Sequence, residues 1–338
     1  MCIRDRSYCT SESGCIGTIL KWDGSVWSPQ SSDPGAYLAD VWWTDANNIW
    51  AVGENGAILK WDGSAWLAQS SGATVDLNDV WGTDTNNIWG VGNQGTLLRW
   101  DGSVWRSQRS GTAVDLNSVW GTDVNSLWAV GSYGTILKWD GSSWSSQSSG
   151  TTVDLYGVWG TDANNVWTVG RNGVILKWNG SIWSSQSSGT TVDLNGAWGT
   201  DANHVWVVGN HGTILKWGGS IWSSQSSGTT LDLNDAWGVD ANNIWAVGGL
   251  YEPEGATGAI LKWDGSAWAS QRNDISARLS GVGGTDANNI WAVGGFVGSR
   301  GQIGVLFNWD GTIWSSPSSG TTPELHDVWG ADANNVWV

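Results

Sequence analysis

Leu77-Asn78-Asp79-Val80-Trp81-Gly82, Thr83-Asp84-Thr85-Asn86-Asn87, Ile88-Trp89-Gly90-Val91-Gly92, Gly95-Thr96-Leu97-Leu98-Arg99-Trp100, Asp101-Gly102, Ser103-Val104-Trp105-Arg106-Ser107-Gln108: this run decides the fold. It alternates short segments rich in Trp, Val, Ile and Thr with clusters of Gly, Asn and Asp, which are the marks of strands and turns. No helical apolar spacing persists over a useful length. Segments such as Ile244-Trp245-Ala246-Val247 are apolar on both faces, as a sheet covered on both sides requires. The run then recurs. Trp42, Trp81, Trp120, Trp159, Trp198 and Trp237 stand 39 residues apart, and three further Trp series share that step up to Trp222. Beyond Trp222 the step lengthens to 46, giving Trp268 and Trp314. Such a period signals a repeat fold.

A four-stranded antiparallel unit of this length predicts an all-β β-propeller, with a β-helix as the weaker alternative. Seven complete units start near Leu38, Leu77, Leu116, Leu155, Leu194, Leu233 and Leu279. Residues 14–30 supply only third and fourth strands, and 325–338 only first and second. The expectation is therefore eight blades, closed by pairing the two terminal half-blades, over a single domain spanning 14–338. Seven blades, or an open fragment of a longer array, are the alternatives. Residues 1–13 stand outside the repeat, and Met1–Arg6 reads as sequencing-adaptor read-through. The Asp-Gly pairs at Asp23, Asp62, Asp101, Asp140, Asp264 and Asp310, replaced by Asn179-Gly180 and Gly218-Gly219 in two units, predict two-residue type I′ hairpin turns.

The pattern Leu-x-x-Val-Trp-Gly…Asn-Asn-Ile-Trp-Ala-Val-Gly-x-x-Gly-Thr-Ile-Leu-Lys-Trp-Asp-Gly-Ser-x-Trp resembles the BNR or Asp-box class of propeller repeat. It is similar to the photosystem II assembly and stability factor family and to repeats of bacterial surface proteins. The resemblance covers residues 14–338 and implies a propeller. The turn from Asp23 to Trp27 is one residue tighter than the usual Asp-box. Sialidases carry related repeats, which makes a sialidase-like glycoside hydrolase a further alternative. That chemistry needs an arginine cluster and a tyrosine nucleophile, whereas Arg is sparse and only Tyr37, Tyr133, Tyr156 and Tyr251 lie in the repeat body.

Thirty-one acidic residues against 15 basic give a formal charge of −16. That argues against nucleic acid, whose binding rests on Lys and Arg neutralising phosphates. No apolar run approaches the length of a membrane span, so membrane insertion is not expected. Cys2, Cys9 and Cys15 all lie in the first fifteen residues and leave the compartment open. The Ser, Thr, Gly and Trp-rich composition, the acidity and the resemblance point to an exported bacterial protein, secreted, at the cell surface or periplasmic, and a monomer is expected.

Enzyme motifs are sought without result: there is no paired-His helix, P-loop or serine elbow. His204 falls in a first turn and His211 in a second turn, so they belong on opposite faces; His326 opens a strand. An Asp recurs in every first turn (Asp45, Asp84, Asp123, Asp162, Asp201, Asp240, Asp286, Asp332) and reads as a local turn acceptor in preference to a calcium ligand. Nearly all Trp are expected in the core. Trp43, beside Trp42 with no periodic role, is expected to be exposed. No metal, cofactor or catalytic residue is assigned.

What remains is where the repeat breaks. Both lengthenings fall in second turns, at 249–258 and 295–304, and residues 11–17 align with 298–304. The crossover Arg272-Asn273-Asp274-Ile275-Ser276-Ala277-Arg278 replaces Ser-Ser-Gly-Thr-Thr-x-Asp, and Gly283 replaces a Trp. Loops on a rigid scaffold concentrate binding residues. The expected ligand-binding residues are Tyr251, Glu252, Glu254, Arg272, Asp274, Arg278, Phe296 and Arg300, on irregular loops of one face. The expected function is non-catalytic binding of a protein or cell-surface partner. A multivalent lectin, with glycan as the partner, is the alternative.

Overall fold

The computed structural model describes residues 17–30, 36–252, 255–298, 301–317 and 324–338. Within them eight four-stranded antiparallel sheets form an eight-bladed β-propeller. Blades 1 to 7 occupy residues 38–68, 77–107, 116–147, 155–186, 194–225, 233–275 and 278–315. Blade 8 is split: Trp329–Asp332 and Asn335–Trp337 are its first and second strands, and Leu20–Trp22 and Trp27–Pro29 its third and fourth. Lys21 pairs with Trp337 and Trp22 with Val336, and Leu20 and Val338 exchange backbone bonds of 2.9 and 3.2 Å. The complementary half-blades thus close the ring and satisfy each other's backbone groups.

First strands of neighbouring blades touch one another and stand nearest the axis. Second strands carry the deepest indoles: Trp50, Trp89, Trp128, Trp167, Trp206, Trp245 and Trp337 are essentially inaccessible. The first-strand indoles at Trp42, Trp81, Trp120, Trp159, Trp198 and Trp237 are only half-buried, so the Trp core is less uniform than the sequence suggests. Between blades the packing is a cation–aromatic ladder. Lys60 Nζ lies 5.1 Å from the Trp50 ring of its own blade and 5.4 Å from Trp100 of the next. Lys21, Arg99, Lys138, Lys177, Lys216 and Lys262 repeat the arrangement. Each such contact favours the ring face beneath the cation electrostatically.

Three expectations are corrected. The third turn is not a two-residue type I′ turn. Trp100 pairs with Trp105, which leaves four residues in the loop, and only Gly102 there has positive φ. Asp101 holds the loop by accepting the backbone N–H groups of Ser103 and Val104, each at 3.0 Å. Asn179 does the same for Ser181 and Ile182, so the amide oxygen suffices.

Trp43, second, is half-buried and stacked on Trp329 at 3.6 Å and 21°. In five other blades the corresponding position is a glycine whose absent Cβ leaves room for the preceding blade's Trp; at Gly160 that Cβ would come within 2.7 Å of Trp120. In blade 1 the neighbouring ring is covered by an indole instead.

Third, the lengthened second turns are β-ribbons and not irregular loops. Asn243–Glu252 pairs with Gly255–Trp263 as far as Glu252 opposite Gly255, and Asn289–Gly298 with Gly301–Trp309 as far as Gly298 opposite Gly301. The inserted residues divide between two strands, so their backbone groups bond to one another.

First turns bind locally as expected. Asp45 accepts the Asn47 N–H at 2.8 Å and the Asn48 side-chain amide on both oxygens. His204 meets Asp201 in a first turn, while His211 lies in a second turn on the opposite face.

Candidate functional site

Second turns and crossovers share one face, and a carboxylate clamp ties them together. Asn55, Gln94, Tyr133, Asn172 and His211 each adopt φ near +55° at a second-turn tip. Their backbone N–H groups donate to Asp76, Asp115, Asp154, Asp193 and Asp232 of the following blade, at 2.8 to 3.2 Å. The next three equivalents are not aspartate. Blade 7 has Arg278, blade 8 Glu324 and blade 1 Tyr37.

These substitutions lie beside the two ribbons. A Cβ on Gly249 would come within 3.0 Å of Arg278 Cα, and one on Gly295 would collide with the Glu324 side chain, so the glycines let each ribbon lie against the adjoining crossover. Arg278 donates to Asn234 Oδ1 at 3.2 Å, and its guanidinium stands 5.9 Å from the Tyr251 ring. Glu324, buried, accepts from Gln302 at 3.3 Å and from Ser280 at 3.5 Å. Tyr37 Oη and His326 Nε2 are 2.6 Å apart at the closing seam. They border a cavity of about 50 Å³ lined also by Leu38, Trp66 and Val338.

Of the residues expected at the site, Tyr251 and Arg278 meet. Arg272 and Asp274 meet separately, at 2.7 and 3.3 Å, with the guanidinium 5.1 Å over Phe307. The Arg272 hydrogen bond holds the Asp274 carboxyl below the usual range. Glu252 is exposed at its ribbon tip, and Phe296 packs half-buried on the core. Glu254 and Arg300 lie outside the described residues, as do Cys2, Cys9, Cys15 and the segment 11–16. Residues that the structure adds to the candidate site, not expected from the sequence, are Glu324, Gln302, Asn234, Tyr37 and His326. Aligning the repeats on the Asp76 position would have found Glu324 and Tyr37. No equivalent signal marks Gln302.

A second group lines the axis. Asp40, Asp79 and Asp235 are buried on first strands, and each reaches across to the next blade: Asp40 accepts the Val80 N–H at 2.8 Å, Asp79 that of Val119 at 2.9 Å and Asp235 that of Val282 at 3.0 Å. Burial, then the charge of Asp79 and a hydrogen bond to it, pushes the Asp40 carboxyl well up; burial first of all raises Asp235 to about 6.

No family model matches the chain, and no curated protein sequence matches it. Its fold is similar to that of YCF48 bound to D1 peptide: TM-score 0.59, 16% identity, covering 84% of this chain and 94% of that one. YCF48 from Cyanidioschyzon merolae is similar at TM-score 0.60 and 17% identity, covering 81% and 95%. The computationally designed Ika8 protein aligns at TM-score 0.70 and 15% identity, covering 89% and 95%. At these identities the likeness is one of fold.

Proposed function

We propose that this chain is a non-catalytic propeller scaffold that binds a peptide or protein segment on its crossover face, along the arc from Tyr251 and Arg278 through Glu324 to Tyr37. One observation carries the reading: the Asp clamp holds at five successive interfaces and is replaced at the next three, where both ribbons also stand. Tyr and Arg are favoured at binding hot spots because they join apolar contact to directed hydrogen bonds. A similar fold, YCF48, is seen with a D1 peptide, which supports a peptide as the occupant here. The Asp101 turn, in which a carboxylate collects backbone N–H groups ahead of Trp105, supports an Asp-box-like repeat. A secreted or surface setting and a monomeric state belong to the same proposal, on the resemblance and composition.

The test is a random-peptide selection on the whole protein, followed by affinities on two variants. One variant trims both ribbons to a Gly-Asn-Gln-Gly turn, and the other is Arg278→Asp. Selected peptides are expected to bind each at least ~10-fold more weakly, about 1.4 kcal/mol. Unchanged affinity for both would remove the arc as the site. Glycan binding is favoured by a separate feature. Tyr133, 72% exposed, stands between a groove of about 820 Å³ lined largely by Ser, Thr and Gly and one of about 480 Å³ bordered by Asp115, Asp154, Arg171 and Asn172. The corresponding tips are Asn55, Gln94, Asn172 and His211, so a glycan site there would be single and would disappear in Tyr133→Asn.

A further inference from the structure

The cation ladder has one missing rung. Seven third strands place a Lys or Arg between their own blade's second-strand indole and the next blade's third-strand indole, at 4.7 to 5.7 Å from the ring centroids. Blade 7 has Asn308 there. Its amide turns back to its own sheet, donating to the Ile290 carbonyl at 3.3 Å.

The two indoles keep their places without the cation. Trp22 and Trp291 stand 5.1 Å apart at 59°, against 4.7 to 6.4 Å and 58 to 61° for the equivalent pairs Trp61–Trp337, Trp50–Trp100, Trp89–Trp139, Trp128–Trp178 and Trp206–Trp263. Trp22, however, is half-buried, while its seven counterparts are 3% to 9% exposed. Trp291 remains at 2%, so access is from the Trp22 side. A counter-charge is in place too. The first-turn carboxylate that acts on the ammonium in blades 4 and 6, Asp162 on Lys177 and Asp240 on Lys262, is retained in blade 7 as the exposed Asp286.

We infer that the Trp22–Trp291 cradle, with Asp286 beside it, is a preformed site for an alkylammonium group, filled by a lysine side chain of a binding partner. The rings are already arranged around the ammonium position, so little reorganisation opposes binding. Indole faces attract cations more strongly than other aromatic rings do. The site lies on the first-turn face, opposite the ribbons, and stands or falls independently of the peptide arc.

The experiment is a ¹⁵N titration of indole N–H signals with n-butylammonium, whose four carbons reproduce the lysine side chain, and with n-butanol as its neutral counterpart. The Trp22 signal is the one lost in Trp22→Phe. We expect saturable shifts of Trp22 with a Kd on the order of 10 mM for butylammonium, and binding at least ~10-fold weaker for butanol. Asn308→Lys restores the sequence of the other blades, and should fold and occupy the cradle from within, weakening butylammonium binding at least ~10-fold. Equal binding of butanol, equal binding to Asn308→Lys, or no saturable shift overturns the site. Nα-acetyl-lysine methylamide separates the sources: binding comparable to butylammonium supports a lysine residue, and its exclusion overturns that assignment in favour of a free amine.

Discussion

Blades 1 to 6 and the arc from blade 6 through 8 back to blade 1 are built on one plan and differ in what they do with it. In the first region every interface repeats the Asp clamp and the Lys or Arg between two indoles, and the half-buried Trp ring continues from Trp42 to Trp237. In the second, the clamp becomes Arg278, Glu324 and Tyr37. The ladder cation gives way to Asn308 at one interface, while Lys262 and Lys21 keep the other two. Gly283 replaces a ring Trp, and Trp43 is added beside Trp42. The backbone register nonetheless persists: Leu279 opposite Gly294 repeats Leu77 opposite Gly92. The scaffold is thus over-determined by apolar burial and strand pairing. Individual polar stitches can be exchanged in one sector without loss of the ring, which frees that sector to diverge.

The comparison breaks most severely if the irregular sector is opened. Deleting residues 324–338 removes the first and second strands of blade 8 and exposes the edge at Leu20–Trp22. Loss of the monomer into dimers or aggregate is expected on size-exclusion chromatography. An unchanged monomeric melting curve would show that closure is not needed.

Next in size is a pH effect centred on the axis. Asp235 and Asp40 have folded values raised by burial, so their contribution is whole below the unfolded value near 3.8 and is lost as pH rises through the folded value, about 6 for Asp235. The exposed turn residues Asp140 and Asp264 are held near 2, chiefly by the backbone N–H groups of Ser143 and Ala267; their contribution is present above the unfolded value and lost as pH falls through 2. Stability should therefore peak at about pH 4 and decline toward neutrality. Asp235→Asn, which keeps an acceptor for Val282, should recover up to on the order of 3 kcal/mol at pH 7 and little at pH 4. A variant that gains equally at both pH values would contradict the shift.

Trp43→Gly converts the irregular sector to the regular form but uncovers Trp329, so urea unfolding should show a loss of about 2 kcal/mol. A gain would mean that the stack is strained. Smallest is Asp101→Asn in the regular sector. The turn persists with Asn179, and only the exposed Arg106 contact at 2.9 Å is weakened. The urea midpoint should therefore be essentially unchanged, and a clear drop would mean that the carboxylate has a further partner.

The fold was legible because the Trp period is a global signal. A repeat of 39 residues with four strand-like segments admits few architectures, and the half-units at each end announce how the ring closes. Local geometry was less legible. Asp-Gly suggests a type I′ hairpin when strand ends are guessed, but the Trp100–Trp105 pair sets a longer loop in which side-chain acceptors do the holding. Trp43 appeared exposed because its partner, Trp329, lies 286 positions away. The candidate site was half legible: Arg278, Tyr251, Glu324 and Tyr37 stand out as departures from the repeat, whereas His326 gains meaning only from Tyr37, which ring closure brings to it.

Blade 8 also sets the order in which the molecule comes apart. Every other blade joins strands drawn from one stretch of chain, whereas Lys21 finds Trp337 across almost the whole of it. Closure entropy grows with the logarithm of the span, and a roughly eightfold longer span costs about 2 kcal/mol more. Breaking that seam gives the entropy back, so it should be the least expensive partial opening of the ring. Hydrogen exchange would register it as a gradient around the disc: the amides of Leu20 and Val338 exchange first, and those flanking Trp167, diametrically opposite, last. The propeller behaves like a necklace with a clasp, in which slow fluctuations at one joint precede any loosening of the beads.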